Sequence, residues 1–338
     1  MPALIEDDML AYKGEKPWHN LGFDVPADAT GEQMLKLAKM DWEVQRRSLA
    51  MRTADGKNTL TSQLKGWKAI VRKDTDYVFQ VASDGYFPVQ NIEIVNFFKE
   101  YCEAGAATME TVGALKGGAI VWALAKLNHD TSMLIGGVDK IDGYLLMATS
   151  HDGSVRTIGK STIIRVVCAN TLFAAFGEKS QQEFKMKHSR KWTPEVAKEA
   201  KRVMGMAAEQ VVEANQLMAT LSKVAIDDKG KLEFVKRLMS KTIEVPVLNP
   251  PAVAGEIEES EELKRKGSAI LEAINTSPGS DLPTAKNTLY GCIQGVTFFC
   301  DWTRGKNQDN RVRSAMFGPE VAWKSRAVEI ARDMAGIR

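Results

Sequence analysis

The segment Ser150-His151-Asp152-Gly153-Ser154 places a nucleophile, a base and an acid within five residues. A catalytic triad needs groups that converge from different parts of the backbone, so immediate neighbours are badly arranged for one. Asp-Gly is a strong turn dipeptide, and the flanking polar side chains can cap such a turn. We therefore interpret the segment as a hairpin turn. A hydrolase or nuclease that uses His151, Asp152 and Ser154 stays open as an alternative.

The segment Gly159-Lys160-Ser161-Thr162 has the letters of a phosphate-binding loop without its spacing. That loop needs a glycine five positions before the Gly-Lys pair, where this chain has Ser154. The β-branched run at 163–167 predicts a strand, whereas a phosphate loop opens into a helix. No G-x-G-x-x-G follows a strand, and the histidines show no metal-binding spacing. The sequence predicts no cofactor, no metal site and no catalytic residue.

Charge is balanced overall but unevenly distributed along the chain. The 338 residues carry 45 Lys and Arg against 43 Asp and Glu, a formal net charge of +2. Basic residues concentrate at 185–202 and again at 304–313, and acidic residues concentrate at 256–262. A hydrophobic share of 44% excludes a disordered chain, and the near-zero charge excludes a protein that coats nucleic acid by bulk charge.

Basic side chains neutralise phosphates, and aromatic rings provide stacking surfaces for unpaired bases. Arg156 and Lys160 would share one face of a regular strand, whereas Arg165 would point to the other face. The candidate nucleic-acid-binding residues are Arg156, Lys160, Arg165, Lys185, Lys187, Arg190, Lys191 and Trp192. Single-stranded nucleic acid is accordingly the predicted partner.

The four cysteines, at 102, 168, 292 and 300, form no C-x-x-C pair, which favours a reducing compartment. The first ten residues are acidic where a secretory signal would be basic. No apolar run approaches about 18 residues, the minimum for a membrane-spanning helix. We expect a soluble cytoplasmic protein with no membrane partner.

The elements that must position these residues change along the chain. Thr30-Gly31-Glu32-Gln33 has capping-box spacing and predicts a helix start. Two hairpins are predicted, one around Gly117-Gly118 and one around the turn at 151–154, and tight turns make their strands antiparallel. The first half is thus predicted as an antiparallel β-hairpin sheet with packed helices, an α+β fold.

The second half is predicted to be mainly helical. Thr193-Pro194-Glu195 is a helix start, and apolar residues then recur every three or four positions as far as Leu221. Further helices are predicted over 232–240, 289–302 and 319–334. We predict an α+β domain over 1–180 and a helical region over 181–338, with a proline-rich linker near 245–255.

Several segments resemble a family of phage- and plasmid-encoded proteins defined by domain of unknown function 932. They are Pro17-Trp18-His19-Asn20-Leu21-Gly22, Gly66-Trp67-Lys68, Thr149-Ser150-His151-Asp152-Gly153-Ser154, Arg165-Val166-Val167-Cys168-Ala169-Asn170-Thr171-Leu172 and Asn287-Thr288-Leu289-Tyr290. The tail departs from the family, which often has a more acidic, histidine-bearing helix at 298–302. The resemblance implies a mobile-element protein in a bacterial host cytoplasm, and by fold-level analogy a single-strand annealing protein.

The sequence thus favours a nucleic-acid-binding protein, with annealing of single strands during recombination as its expected role. Such proteins act as homo-oligomers, and the apolar stripe of the helix after Thr193 is available for self-association or for the protein's own core. A host-interaction protein without a nucleic-acid role is a further alternative. A binding protein is favoured over an enzyme.

Overall fold

The computed structural model describes residues 9–14, 22–54, 59–128, 131–165, 170–173, 183–205, 207–240, 261–303, 313–314 and 316–337. The strands are β1 (Leu10–Tyr12), β2 (Phe23–Asp24), β3 (Val44–Ala54), β4 (Thr59–Arg72), β5 (Val78–Ser83), β6 (Ala107–Leu115), β7 (Ile120–Leu127), β8 (Met133–Ile135), β9 (Asp139–Ser150), β10 (Thr157–Arg165), β11 (Asn170–Phe173) and β12 (Phe184–Met186).

The helices are α1 (Gly31–Leu37), α2 (Asn91–Glu103), α3 (Pro194–Gly205), α4 (Ala207–Leu221), α5 (Asp228–Met239), α6 (Glu261–Thr276), α7 (Leu289–Phe298) and α8 (Pro319–Met334). A single π-helical turn, Phe299–Thr303, extends α7. Strands dominate the first half and helices the second, which confirms the predicted α+β class. In the part of the chain described here, no helix combines the length and apolar character needed to cross a bilayer.

The large sheet has the strand order β11-β10-β9-β7-β6-β1-β2, with β8 paired to β9 and β12 paired to β10. All its pairs are antiparallel except β1 with β2. Both predicted hairpins are present, as β6–β7 and as β9–β10. The capping box of α1 is also present, because Thr30 and Gln33 exchange side-chain-to-backbone hydrogen bonds.

Most of the helices pack on one face of this sheet, and the start of α8 with the residues before it packs on the other. Along β7, Val121 and Ala123 enter the main apolar core, whereas Ile120 and Trp122 enter a smaller cluster on the opposite face. The approach of α4 to β9 requires a glycine at position 143, since an added Cβ would lie 2.5 Å from Val211 Cγ1. The predicted helix after Thr193 is present as α3 and α4, on either side of residue 206.

A second sheet, in the order β3-β4-β5, is attached beside the large one. Ile70 of β4 is fully buried, and Gln80 of β5 donates a hydrogen bond of 2.8 Å to the His151 carbonyl oxygen. One face of the small sheet therefore packs on the turn between β9 and β10.

Candidate functional site

A surface groove of about 320 Å³ lies where β3 meets the loop after β5 and the start of α3. Its lining includes two cations, Arg46 and Lys191, two aromatic rings, Phe87 and Trp192, and the carboxyl group of Glu93. Lys191 and Trp192 belong to the predicted nucleic-acid-binding set. The structure brings them to a strand more than a hundred residues earlier in the chain.

Phe87 is the centre of the groove. The Arg46 guanidinium carbon lies 4.6 Å from the centroid of its ring, and Lys191 Nζ lies 4.9 Å from the same centroid. Cations at these distances are attracted by the negative face of an aromatic ring. The Phe87 N–H donates a 2.6 Å hydrogen bond to the His188 carbonyl oxygen, which ties the loop to the segment that carries Lys191.

Two further contacts fix the floor of the groove. The Gln90 side-chain amide accepts from the Val44 N–H at 2.9 Å and donates to the Val44 carbonyl oxygen at 3.0 Å, so β3 is pinned to the start of α2. Glu93 accepts a 2.7 Å hydrogen bond from the Gln90 N–H. Burial raises the pKa of Glu93 above its ordinary value, and the Gln90 N–H opposes that shift.

The other exposed members of the predicted set lie on β12 and in the segments beside it. Lys185 and Lys187 point to solvent while Met186 between them is buried, as expected of alternating strand residues. Lys185 pairs with Glu183 at 2.5 Å, and Arg190 pairs with Glu199 at 2.7 Å. Arg156 is exposed immediately before β10. The set is therefore spread over several surfaces, and only Lys191 and Trp192 line the groove.

Lys160 differs from these residues because it is buried. Only 9% of its surface is exposed, and Nζ donates a 2.7 Å hydrogen bond to the Met316 carbonyl oxygen. Burial lowers the pKa of Lys160 to about 7, with Glu183 acting in the opposite direction. Arg165 ends β10, where its backbone pairs with that of Asn170, and its side chain lies outside the described residues. The basic positions 304, 306 and 311 also lie outside them.

Sequence reasoning does not single out Arg46 or Phe87. The available signal was the Arg46-Arg47 pair in a strand without acidic residues, together with an aromatic residue before Pro88. Neither signal specifies that the two side chains meet, because residues 47–86 separate them along the chain. Their convergence depends on the pairing of β3 and β4 and on the loop contact with His188.

The turn at 151–154 is built around a buried histidine. His151 is fully buried, and its ring packs edge-on against Trp42 at 5.4 Å between centroids. Asn91 Nδ2 donates to the Met40 carbonyl oxygen, so Asn91 Oδ1 is the acceptor for His151 Nε2–H at 3.0 Å. Burial, with a smaller contribution from the nearby His188, lowers the pKa of His151 to about 3, and Asp152 acts in the opposite direction.

Asp152 and Ser150 make side-chain hydrogen bonds within the hairpin. Asp152 Oδ1 accepts from the Ser154 N–H at 2.9 Å, and Ser150 Oγ donates to the Val155 carbonyl oxygen at 2.7 Å. His188 Nε2 contacts the same carbonyl at 2.9 Å, and its ring stacks on Tyr86. These are the contacts of a packed hairpin turn, which is the interpretation favoured from the sequence.

No group of three or more His, Cys, Asp and Glu side chains is placed to hold a metal ion within the described ranges. Asp142 lies in β9. Its carboxylate accepts hydrogen bonds from Lys126 Nζ at 2.7 Å and from Ser132 Oγ at 2.6 Å. Asp139 accepts from Thr284 at 3.0 Å. These contacts join β9 to its neighbours, so both carboxylates have structural partners.

Comparison with known proteins gives one match. Residues 78–322 match the family described as Domain of unknown function (DUF932), which covers well over half of the chain. No curated protein and no solved structure matches. The matched region includes the β9–β10 turn, Phe87, Lys191 and Trp192, whereas Arg46 precedes it. The chain therefore belongs to the DUF932 family.

Proposed function

We propose that the groove between Arg46 and Lys191 binds single-stranded nucleic acid. The observation that carries the proposal is the Phe87 ring, which lies within 4.6 Å and 4.9 Å of the two cationic groups. A strand uses this combination, because its phosphates bind cations and its unpaired bases stack on aromatic rings. Trp192 gives the groove a second ring beside the first.

The size of the groove limits what it does with a strand. A volume of about 320 Å³ accommodates one or two nucleotides, so most bases of a bound strand stay free to pair. The proposed role is therefore annealing of complementary single strands in phage or plasmid recombination. Several copies would act along one strand, because a formal net charge of +2 supplies little attraction per subunit.

The proposed setting is a bacterial host cytoplasm. Cys102, Cys292 and Cys300 are free thiols, and thiols of this kind persist in reducing compartments.

Annealing is tested with the purified protein and two complementary labelled strands. Added protein should accelerate their pairing, as measured by energy transfer between the labels.

Binding is tested by fluorescence anisotropy with a labelled single strand of about 20 nucleotides at about 50 mM salt. The double variant Arg46→Ala/Lys191→Ala should bind at least about tenfold more weakly. Each single-strand phosphate contact contributes about 0.7 to the slope of log affinity against log salt, so the slope should fall by about 1.4.

The matched control is Lys223→Ala/Lys229→Ala, which also removes two exposed positive charges, both from the helical half. It should leave the affinity and the salt slope unchanged. Absence of binding by the wild-type protein at about 10 μM would contradict the proposal, because non-specific affinity alone reaches that range. If the control weakened binding as much as the groove variant does, the loss of affinity would come from the change in net charge and not from the groove.

A further inference from the structure

The charged residues in the strands of the small sheet are all basic, and the groove accounts for only one of them. The three strands carry six Arg and Lys residues and no Asp or Glu. The six are Arg46, Arg47, Arg52, Lys65, Lys68 and Arg72. The acidic residues of this region lie in the turns instead, where Asp74, Asp76 and Asp84 pair with them. The charges that the strands themselves contribute to this sheet are therefore all positive.

The face of this sheet that points away from the β9–β10 turn exposes an aromatic ring. Trp67 is 47% exposed, and Val78 and Val81 on the neighbouring strand are 48% and 50% exposed. Val81 pairs with Ala69 of β4. Ala69 and Trp67 are two positions apart on β4, so Trp67 and Val81 lie on the same face of the sheet. A half-exposed tryptophan on a basic sheet is the arrangement on which an unpaired base stacks.

The backbone beside Trp67 is linked through Asp84 to Arg46, one of the two cations of the groove. The Gly66 carbonyl oxygen accepts a 2.9 Å hydrogen bond from the Asp84 N–H, and Arg46 donates to the Asp84 carbonyl oxygen. The Asp84 carboxylate also lies 3.8 Å from Lys68 Nζ. Gly66 has a φ of +81°, at the point where the pairing of β3 with β4 is interrupted. Such a bulge redirects the next side chain.

We propose that Trp67, with Lys65 and Arg47, forms a second contact for the single strand whose first contact is the groove. This inference rests on the proposed function of the groove. A base stacks on the Trp67 indole, and the flanking phosphates contact Lys65 and Arg47. The Arg47 partner, Asp76, is 73% exposed, so a phosphate can replace this carboxylate at little cost.

Charge and composition favour a nucleic acid over other occupants of this surface. The exposed apolar side chains of this sheet lie among exposed polar and basic ones, so the surface combines apolar and basic groups as a single strand requires. The apolar side chains are Met51, Leu64, Trp67, Tyr77, Val78 and Val81, and the polar and basic ones include Ser62, Gln63 and Lys65. The strands also supply no carboxylate with which an identical face of a second copy could pair Arg47 or Lys65. The occupant is therefore a flexible polyanion with flat rings.

The experiment compares two strand lengths, about 2 and about 20 nucleotides, with Trp67→Ala, Trp67→Phe and Trp67→Leu. The short strand fills the groove alone, whereas the long strand also reaches Trp67. Trp67→Ala and Trp67→Leu should weaken binding of the long strand about fivefold or more and leave the short strand unaffected. Trp67→Phe should restore most of the affinity, because it keeps a ring while Leu keeps only apolar volume.

Several outcomes separate this inference from the proposed function. If Arg46→Ala/Lys191→Ala weakens both lengths and the Trp67 variants weaken neither, the second contact is wrong and the groove stands. If the wild-type protein binds neither length, both proposals fail. If Trp67→Leu only lowers binding to phosphatidylserine vesicles, or only lowers the sedimenting mass, the face contacts lipid or a second copy instead. Equal circular dichroism spectra exclude misfolding of the variants.

Discussion

The groove and the β9–β10 turn are built from similar residue types and lie on opposite sides of one junction. In the groove, Arg46 and Lys191 meet the Phe87 ring at the surface. In the turn, His151 meets the Trp42 ring in the interior. The difference is burial. An exposed cation beside a ring keeps its charge and can exchange partners, whereas a buried imidazole stays neutral and holds one partner.

The comparison also separates positioning from binding. His188 connects the two regions, because its ring contacts the Val155 carbonyl oxygen while its own carbonyl oxygen accepts from the Phe87 N–H. The turn therefore holds the loop that carries the ring of the groove. Mutations in the turn should act on stability, and mutations in the groove should act on binding.

The largest expected effect is on stability, from His151→Ala. Removing a fully buried ring and its bond to Asn91 should lower the free energy of unfolding by about 3 kcal/mol. Urea unfolding at neutral pH measures this loss. The neighbour Ser154 is exposed, so Ser154→Ala should change stability by no more than about 0.5 kcal/mol. Equal midpoints for His151→Ala and the wild type would contradict a packed turn.

Acidification tests the same histidine without removing it. Burial sets the pKa of His151 at about 3, well below its ordinary value of 6.5. The unfolded chain therefore takes up this proton first, and stability falls as the pH decreases from about 6.5 towards 3. Between pH 7 and pH 4.5 this residue alone should cost about 2 kcal/mol.

The control for the acid effect is His151→Gln, which keeps an amide within reach of Asn91 but cannot titrate. Urea unfolding across this pH range should give a shallower loss for the variant than for the wild type. Carboxylates contribute to both curves, so the difference between the curves isolates the histidine. Parallel curves would show that the pKa of His151 is the same in the folded and the unfolded protein.

Local signals in the sequence were sufficient to predict much of the fold. Thr30 and Gln33 form the capping box that their spacing predicts, and the glycine turn between β6 and β7 lies where it is predicted. The last helix has the predicted bounds, Pro319–Met334. These features depend on residues within a few positions of one another, so the sequence pattern contains the relevant contacts.

The groove depends on contacts that no local pattern contains. Lys191 was predicted from its basic run, but its neighbour Arg46 comes from a strand of the other sheet. Lys160 shows that tertiary contacts can also bury a residue that a local pattern predicts to be at the surface. Strand alternation predicts its face but cannot predict that Met316, 156 positions away, covers that face. Tertiary contacts decide which members of a basic run stay available to a ligand.

The smallest effect should come from Glu93→Gln, and it has the opposite sign. Glu93 contributes a carboxyl group to a groove whose other charged side chains are Arg46 and Lys191. Glutamine removes the negative charge and keeps an oxygen for the Gln90 N–H, as a capping box allows. Affinity for a labelled single strand at neutral pH should therefore rise about two- to threefold.

The pH dependence of this rise identifies its source. Burial raises the pKa of Glu93, so the wild-type carboxyl group takes up a proton before an exposed glutamate does as the pH falls. Wild-type affinity should then approach that of the variant, and the two binding curves should meet at acidic pH. Glu103→Gln, 64% exposed at the far end of the same helix, should change affinity much less. If both variants gain affinity equally at every pH, binding of the nucleic acid responds to the net charge of the protein, and Glu93 does not face the bound strand.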